Sequence, residues 1–305
     1  MKILITGGAG FIGSNLTKRL VDDGHDLVVL DSLLRGNKLE KETFSKIEFH
    51  KADVRDFDSV VNASKGCDVI FHLAAVLGVE IVADNPVETM DVEVIGTRNV
   101  VNAAEINNIK KILYASTSGI YSHSAIENLL TEEVLVDPRT SYAMAKRYNE
   151  IYLTSHHEEK GIDVVCLRFF NVYGWNQDNR MVVPLFFEQA MANDPITVFG
   201  SGKQTRDFTY IDDTVEACVG LMKVSGCHTV NIANEAEWCI SDVAEQIKEI
   251  TNSTSEIIYT EAPKKRDAYE VERRVGSSKK LINLTSYKPD TSLGDGLKLI
   301  FNRNY

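Results

Sequence analysis

Tyr142 and Lys146, four positions apart, are the residues of this chain best suited to acid–base chemistry. They lie in a predicted helix, where residues four apart share one face. A phenol has an ordinary pKa of about 10, and an adjacent ammonium group favours its phenolate form. A phenolate can remove the proton of a substrate hydroxyl group. Because such pairs are also common on protein surfaces, this interpretation needs a third residue.

Thr117 is that third residue. It follows a predicted strand in the segment Ala115-Ser116-Thr117-Ser118-Gly119-Ile120-Tyr121. Its hydroxyl group could relay a proton or fix a substrate oxygen, although it could also only cap the end of the strand. Together, the three side chains predict the oxidation or reduction of a hydroxyl-bearing carbon, with Thr117, Tyr142 and Lys146 as catalytic residues.

A glycine-rich turn near the amino terminus predicts where the redox cofactor binds. The turn connects a short apolar strand to a helix, and it contains Gly7, Gly10, Phe11, Ile12 and Gly13. The first glycine permits a tight turn and the second permits close approach of a pyrophosphate. The third permits close packing of helix and strand, and the helix N-terminus attracts the phosphates. A glycine-rich turn in another kind of α/β domain is the alternative.

Asp31 indicates which dinucleotide binds. It ends the second apolar strand, eighteen residues after Gly13. A carboxylate at this distance can hydrogen-bond the ribose hydroxyls of NAD, and it repels the 2′-phosphate of NADP. Arg35 could pair with that phosphate, but we interpret it as a solvated loop residue. The sequence therefore predicts NAD as the cofactor.

The arrangement of apolar segments predicts an α/β fold. Short apolar runs alternate with amphipathic helices, which is typical of a Rossmann-type doubly wound parallel sheet. The predicted strands are 2–6, 26–30, 47–50, 69–73, 111–115 and 164–168, and the predicted helices are 14–23, 57–63, 87–107 and 140–160. Ligands of such sheets bind beyond the carboxyl ends of the strands. We therefore expect the functional residues directly after each strand.

The pattern changes after about residue 172, where a second, smaller α/β domain is expected to bind the substrate. Helices are predicted over 181–193 and 241–251, and strands over 196–199 and 256–259. The NAD-binding domain would comprise residues 1–171 and about 207–233. The substrate-binding domain would comprise residues 172–206 and 234–305.

Composition excludes several classes of function. The net charge of −11 argues against non-specific binding of nucleic acid, which requires many lysines and arginines. The five cysteines show no CxxC spacing, so neither a disulfide framework nor a metal site is expected. The first strand leaves no room for a signal peptide, and no apolar run is long enough to span a membrane. A cytoplasmic location is therefore expected.

The motifs GGAGFIG, FHLAA, YAMAK and LRFFNVYG occur in this order along the chain, together with the Ser116–Tyr121 strand end. In this combination the chain resembles the extended short-chain dehydrogenases/reductases, and more narrowly the NAD-dependent nucleotide-sugar epimerase/dehydratase family. The resemblance implies that the glycine turn and Asp31 hold NAD, and that Lys146 also contacts the nicotinamide ribose. It also implies that Asp53 and Val54 flank the adenine. The segment His72–Ala75, which includes Leu73, Ala74 and Ala75, would line the cofactor.

The same resemblance implies contacts to a nucleotide-diphosphate sugar, with UDP as the expected nucleotide. Asn171 would contact the diphosphate or the sugar, and Ser116 and Ser118 would contact the sugar. Arg206 and Arg266 would bind the diphosphate, whose oxygen pairs suit a bidentate guanidinium group. For Arg206 the alternative is an ion pair with Asp207 or Asp212. For Arg266 the alternative is a solvated loop charge.

The reaction class is predicted from the residues that follow Thr117, where this chain differs from the family pattern. Dehydratases of the family carry an acidic pair after the catalytic threonine, where this chain has Ser118 and Gly119. Decarboxylases of the family carry a glutamate at the second position, and Gly119 has no acid–base group. The remaining residues support reversible oxidation at C4, which gives 4-epimerisation through a 4-keto sugar. Glu93 is a second departure, at a position where many members carry asparagine.

Two other functions stay open at this point. The first is a related dehydratase or decarboxylase, or a 4-ketosugar reductase; a base from elsewhere, such as Glu80, would favour the lyase. The second is a non-catalytic NAD-binding sensor, because a fold alone does not guarantee a reaction. The family commonly dimerises through two long helices, here 87–107 and 140–160, so a homodimer is expected.

Overall fold

Seven short strands pair side by side and in parallel to form the central sheet. The computed structural model describes residues 1–76, 79–121, 128–262 and 271–304. The strands are β1 (Lys2–Thr6), β2 (Asp26–Asp31), β3 (Glu48–Lys51), β4 (Val69–His72), β5 (Lys111–Thr117), β6 (Asp163–Phe169) and β10 (Cys227–Ile232). Their spatial order is β10-β6-β5-β4-β1-β2-β3. The chain therefore leaves β1 in one direction and returns to β4 on its other side, which places a crevice between β1 and β4.

Helices cover both faces of this sheet. They are α1 (Phe11–Asp22), α2 (Lys41–Phe44), α3 (Phe57–Ala63), α4 (Val79–Asp84), α5 (Pro86–Ile106), α6 (Ser141–Lys160) and α8 (Ile211–Leu221). Alternate residues of a strand point to opposite faces. Ile3 and Ile5 accordingly pack into the core that contains residues of α1 and α8. Leu4 packs into the opposite core, which contains residues of α3, α5 and α6. Burial on both faces explains why the strands are almost continuously apolar.

The remaining residues that the structure describes form two small sheets and four further helices. In the first sheet, β9 (Thr205–Tyr210) pairs with β7 (Asn171–Tyr173), β11 (Glu237–Cys239) and β13 (Arg273–Arg274). In the second, β8 (Ile196–Phe199) pairs in parallel with β12 (Ile257–Thr260). The helices are α7 (Val182–Ala192), α9 (Ile240–Ile250), α10 (Lys279–Thr285) and α11 (Leu293–Asn304). The domain boundaries proposed above stay a prediction.

Most predicted elements form within one or two residues of the expected ends. The largest difference is in α1, which is predicted from residue 14 and begins at Phe11. Apolar periodicity becomes visible only after Gly13, but the backbone turns helical directly after Gly10. The expected strand over residues 111–115 extends to Thr117, so Thr117 is the last residue of β5. Among the described residues, none of the helices is long and apolar enough to cross a membrane.

We predict that Gly13→Ala destabilises the protein by about 3 kcal/mol, because overpacking a rigid site is costly. A Cβ at this position would lie 2.2 Å from the Gly7 carbonyl oxygen, which belongs to the backbone and cannot rotate away. Gly294→Ala, in α11, is the matched control, since its Cβ would lie 3.5 Å from a side-chain oxygen of Gln246. Thermal unfolding of both variants measures the difference. Equal melting temperatures would contradict the prediction.

Candidate active site

The glycine turn lies at the carboxyl end of β1, against the end of β4. Gly7 has a φ of +72°, and its N–H donates to the Leu30 carbonyl oxygen at 2.8 Å. A Cβ at Gly7 would lie 2.7 Å from the backbone nitrogen of Ala74. No side-chain hydrogen bond caps the first residues of α1, whose N-cap is Gly10. The N-cap residue therefore offers no side-chain acceptor to the first amides of this helix, which is an arrangement that suits a phosphate.

Asp31 ends β2 beside this turn. Its carboxylate accepts hydrogen bonds from the Ala9 N–H at 3.0 Å and the Leu33 N–H at 2.8 Å. Partial burial raises the pKa of Asp31, and the two backbone hydrogen bonds oppose this effect. The acid predicted to bind a ribose therefore also holds the glycine turn in place.

The other predicted cofactor contacts lie at the ends of β3 and β4. Asp53 forms a bidentate ion pair with Arg55, which lowers the pKa of Asp53. The Val54 side chain is buried, and a Cβ on Gly96 would lie 2.7 Å from it. The segment Leu73–Ala75 follows β4, and the Leu73 N–H donates to the Thr6 carbonyl oxygen at 3.0 Å. These residues thus share the sheet edge that carries the glycine turn.

His72 is the last residue of β4 and is buried, which is not evident from the sequence. Its Nδ1 lies 2.7 Å from Thr6 Oγ1, and its Nε2 lies 3.1 Å from Thr97 Oγ1. The ring is 1% exposed, and burial lowers the pKa of His72 to about 3, with a further contribution from the positive charge of Lys146. His72 is therefore neutral near pH 7 and connects β1, β4 and α5 through two threonine hydroxyls.

The two threonines and the burial of His72 lead to a prediction about stability and pH. Below about pH 6.5 the unfolded chain binds a proton at this histidine, whereas the folded chain does not until about pH 3. Stability should fall as the pH falls, by about 2 kcal/mol between pH 6.5 and pH 5 from this residue. His72→Asn should lose that contribution to the slope. Urea unfolding at several pH values measures it.

His228 provides the control for this experiment. It is partly exposed, and its Nε2 lies 2.9 Å from the Ser225 carbonyl oxygen. His228→Asn should keep the slope of the parent protein between pH 6.5 and pH 5. A His72→Asn variant with the parent slope would disprove the assignment of a neutral histidine.

The three predicted catalytic residues are positioned by β5 and α6. Thr117 ends β5, and its Oγ1 accepts the Gly119 N–H at 3.0 Å. The Thr140 side chain caps α6 by accepting the Ala143 N–H, also at 3.0 Å. Tyr142 lies in the first turn of α6, and Lys146 lies one turn later. The helix packs against β5 and the 3₁₀ turn that follows it, which brings the three residues to one region.

Lys146 is buried between two aromatic rings and a carboxylate. Its Nζ lies 2.9 Å from Glu93 Oε2, 4.7 Å from the centroid of the Tyr114 ring and 5.4 Å from that of the Tyr142 ring. The side chains of Lys146 and Glu93 are 1% and 0% exposed. The sequence shows Glu93 as a departure from the family pattern, but nothing in it indicates this ion pair. Burial raises the pKa of the Tyr142 phenol, and so does the charge of Glu93.

The predicted substrate contacts occupy different environments. Asn171 begins β7 and is partly exposed, and Ser118 is 3% exposed in the 3₁₀ turn. Arg206, in β9, donates from Nη1 to the Thr205 carbonyl oxygen at 2.7 Å and is 8% exposed. Arg266 lies outside the described residues, and so does the side chain of Glu80.

Ser116 differs from the expectation that it contacts a sugar. Its hydroxyl donates to the Glu150 carboxylate at 2.6 Å, and the residue is 2% exposed. Arg168 forms a bidentate ion pair with the same carboxylate, at 2.9 Å for both contacts. Because Ser116 precedes Thr117 in an extended strand, its side chain points to the opposite face. In this structure its hydroxyl is used by the buried Glu150–Arg168 ion pair, and the contact to a sugar stays a prediction.

Comparisons with known proteins agree with this geometry. A family model described as "NAD dependent epimerase/dehydratase family" matches residues 3–233. The chain is 35% identical to the UDP-N-acetyl-alpha-D-glucosaminuronate decarboxylase of Bacillus cytotoxicus, over 97% of the chain and 95% of that protein. It is 32% identical to a putative UDP-glucose 4-epimerase of Methanocaldococcus jannaschii, over 98% and 97% respectively.

A solved structure shows the same fold. The UDP-glucose 4-epimerase of Thermotoga maritima, determined with UDP-glucose, superposes with a TM-score of 0.93 at 28% identity, and the alignment covers 99% of this chain and 98% of that one. The predicted family, the Rossmann-type sheet and NAD as the cofactor are thereby confirmed. The similar proteins include both a putative epimerase and a decarboxylase.

Proposed function

The chain belongs to the NAD-dependent epimerase/dehydratase family, and from this premise we propose that it is a nucleotide-sugar 4-epimerase acting on a UDP-hexose or UDP-hexuronate. One observation carries the proposal. Tyr142 and Lys146 lie on the first two turns of α6, packed against the strand end that carries Thr117, and the next residues, Ser118 and Gly119, contain no acid. This set can oxidise and reduce a carbinol but has no group at the strand end for expelling water.

The turn at residues 7–13 and the neighbouring strand ends are the proposed cofactor site. At Gly7 and Gly13 backbone atoms occupy the position of a Cβ, so glycine is needed for the tight turn itself. A Cβ on Gly10 would lie 3.3 Å from the Gly7 carbonyl oxygen, which leaves more room there for a pyrophosphate, and the N-terminus of α1 fits its charge. Asp31 would accept hydrogen bonds from a ribose, Asp53 and Val54 would flank the adenine, and Leu73–Ala75 would line the cofactor. Bound NAD supplies the acceptor and donor of hydride for the carbinol carbon.

The catalytic side chains would move one proton. Tyr142 would take the proton of the sugar 4-hydroxyl and return it later. Because Thr117 accepts the Gly119 N–H, its own O–H stays available to donate to the sugar oxygen. Lys146 would contact the nicotinamide ribose and stabilise the phenolate. Rotation of the 4-keto sugar between oxidation and reduction would invert the configuration at C4.

Substrate binding would use residues from the second half of the chain. We propose that Asn171 and Ser118 contact the sugar or the diphosphate, and that Arg206 and Arg266 bind the diphosphate. The position of Arg206 on the central strand of its sheet supports this role, because β9 fixes the guanidinium stem on a rigid element.

A decarboxylase is the second candidate, and the similarity to the Bacillus cytotoxicus decarboxylase favours it. Oxidation at C4 of a UDP-hexuronate gives a β-keto acid, which can lose carbon dioxide. The same Thr117, Tyr142 and Lys146 would carry out that oxidation. The two candidates therefore differ in what happens to the 4-keto sugar and not in how it forms.

Incubation of the purified protein with NAD and a panel of UDP-, GDP- and dTDP-sugars separates these functions by mass spectrometry and proton NMR. We expect a product of unchanged mass with an inverted C4 proton coupling. Tyr142→Phe should reduce turnover by about 10²–10⁴-fold, because it removes the general base. Tyr148→Phe, on an exposed part of the same helix, should not. Loss of carbon dioxide would establish the decarboxylase, and loss of water would contradict both candidates.

We also propose that the protein forms a homodimer through α5 and α6. These helices pack against each other and expose large apolar side chains, with Met144, Tyr148 and Ile151 about half exposed along one stripe of α6. Met90 and Ile95 of α5 are also exposed. An apolar patch of this kind on two adjacent helices is typical of an interface.

The dimer can be tested by placing charges on this stripe. Met144→Asp combined with Ile151→Asp should convert a dimer to a monomer in light scattering after size-exclusion chromatography. Leu299→Asp, an exposed apolar residue of α11, is the control and should leave the mass unchanged. A monomeric parent protein would contradict the proposal.

A further inference from the structure

The ion pair between Glu93 and Lys146 is the most deeply buried charge pair at the proposed active site. Its atoms lie 2.9 Å apart, and neither side chain is more than 1% exposed. Glu93 comes from the middle of α5 and Lys146 from α6, so the pair joins two helices that pack along their length. Tyr114 donates its hydroxyl to the same carboxylate oxygen at 3.3 Å, and Asn149 donates to that hydroxyl at 2.9 Å.

This arrangement is an unfavourable way to stabilise a core. Burying two charges costs more solvation than a single contact returns, unless every remaining polar atom is also paired. Glu93 Oε1 is buried and has no hydrogen-bond partner among the described residues, and the same holds for Asn149 Oδ1. A neutral side chain at position 93 would leave the buried Lys146 ammonium without a counter-charge. The carboxylate is therefore better explained by what it does to Lys146.

The charge balance in the region of the phenol follows from the titratable groups on the strands and helices around it. On β4, His72 is neutral near pH 7. Tyr114 on β5 and Cys166 on β6 are buried, and burial raises the pKa of each well above its ordinary value, so both are neutral as well. Among the described residues, the charged groups that act on Tyr142 are thus Lys146, whose Nζ lies 5.4 Å from its ring, and Glu93 on α5, whose charge raises the pKa of Tyr142. The carboxylate opposes the effect that the ammonium alone would have.

We propose that Glu93 is a positioning residue that fixes the Lys146 ammonium between the Tyr114 and Tyr142 rings and offsets part of its charge, thereby setting how readily the Tyr142 phenol gives up its proton. The role of Tyr142 as the base rests on the proposed function. Glu93 itself contacts neither the substrate nor the cofactor in this proposal. Through Glu93, the neighbouring helix α5 controls the position and the effective charge of the catalytic lysine.

Glu93→Gln tests the proposal because the amide keeps a hydrogen-bond acceptor for Lys146 and removes the charge. The phenolate absorbance of the full-length protein is titrated with pH, and the titration of the matching Tyr142→Phe protein is subtracted. Tyr142 should ionise at least about one pH unit lower in Glu93→Gln than in the parent. The acid limb of the kcat profile should move in the same direction, with a smaller change in KM. Glu93→Asp, which restores the charge, should return the limb towards the parent.

Glu150→Gln is the matched control, because Glu150 is also a buried glutamate with a cation 2.9 Å away, in this case Arg168. It should lower the melting temperature without moving either titration. If Glu93→Gln lowers stability in the same way and leaves both titrations unchanged, the carboxylate is only structural and the proposal is wrong. Glu93→Asn is a second neutral variant, should the glutamine protein not fold.

The absorbance titration also separates this inference from the proposed function, because it requires no substrate. A parent protein that turns over no nucleotide sugar would count against the epimerase, while a shifted Tyr142 titration in Glu93→Gln would still support the role of Glu93. The opposite combination, turnover with an unmoved titration, would overturn the inference and leave the epimerase intact.

Discussion

Parallel pairing of the central strands is the constraint on which the rest of the structure depends. Each parallel connection needs a crossover, so helices must cover both faces and every strand must end at the same edge. Thr6, His72 and Thr117 are far apart in the chain, yet all three end neighbouring strands. Backbone turns and polar side chains from several loops therefore lie together at the carboxyl ends of the strands, although none of those loops needs to be long.

Buried polar networks then fix how the remaining elements meet this edge. Asp207, at 0% exposure, accepts hydrogen bonds from the backbone N–H groups of Asn234, Glu235 and Gly276. Burial raises the pKa of Asp207 to about 6, and these hydrogen bonds oppose that shift. One carboxylate thus connects β9 to the loop after β10 and to the segment after β13. Because such groups are costly to leave unpaired, they specify one arrangement of these segments.

Local patterns allowed much of this to be predicted from the sequence. The glycine turn, Asp31 and the Tyr142–Lys146 spacing each depend on residues close together in the chain, and the structure contains the strand, turn and helices that these patterns predict. The Glu93–Lys146 pair could not be predicted in this way, because it depends on the crossing of α5 and α6. The hydrogen bond from Ser116 to Glu150 could not be predicted for a related reason. Motif similarity identifies the strand end but not the face of the sheet to which each hydroxyl points. Because neighbouring residues of a strand point to opposite faces, a shift of one residue moves a side chain from one face to the other.

The two hydrogen bonds from Asp31 to the glycine turn have a consequence for how this scaffold could evolve. A change of dinucleotide preference would ordinarily begin by replacing the acid that meets the ribose. Here the same carboxylate accepts the N–H groups of Ala9 and Leu33, so its loss would also leave two loop amides without their acceptor. Cofactor choice and loop architecture are inherited together. Evolution towards NADP would therefore require new hydrogen-bond acceptors for these two amides, in addition to a cation that binds the 2′-phosphate.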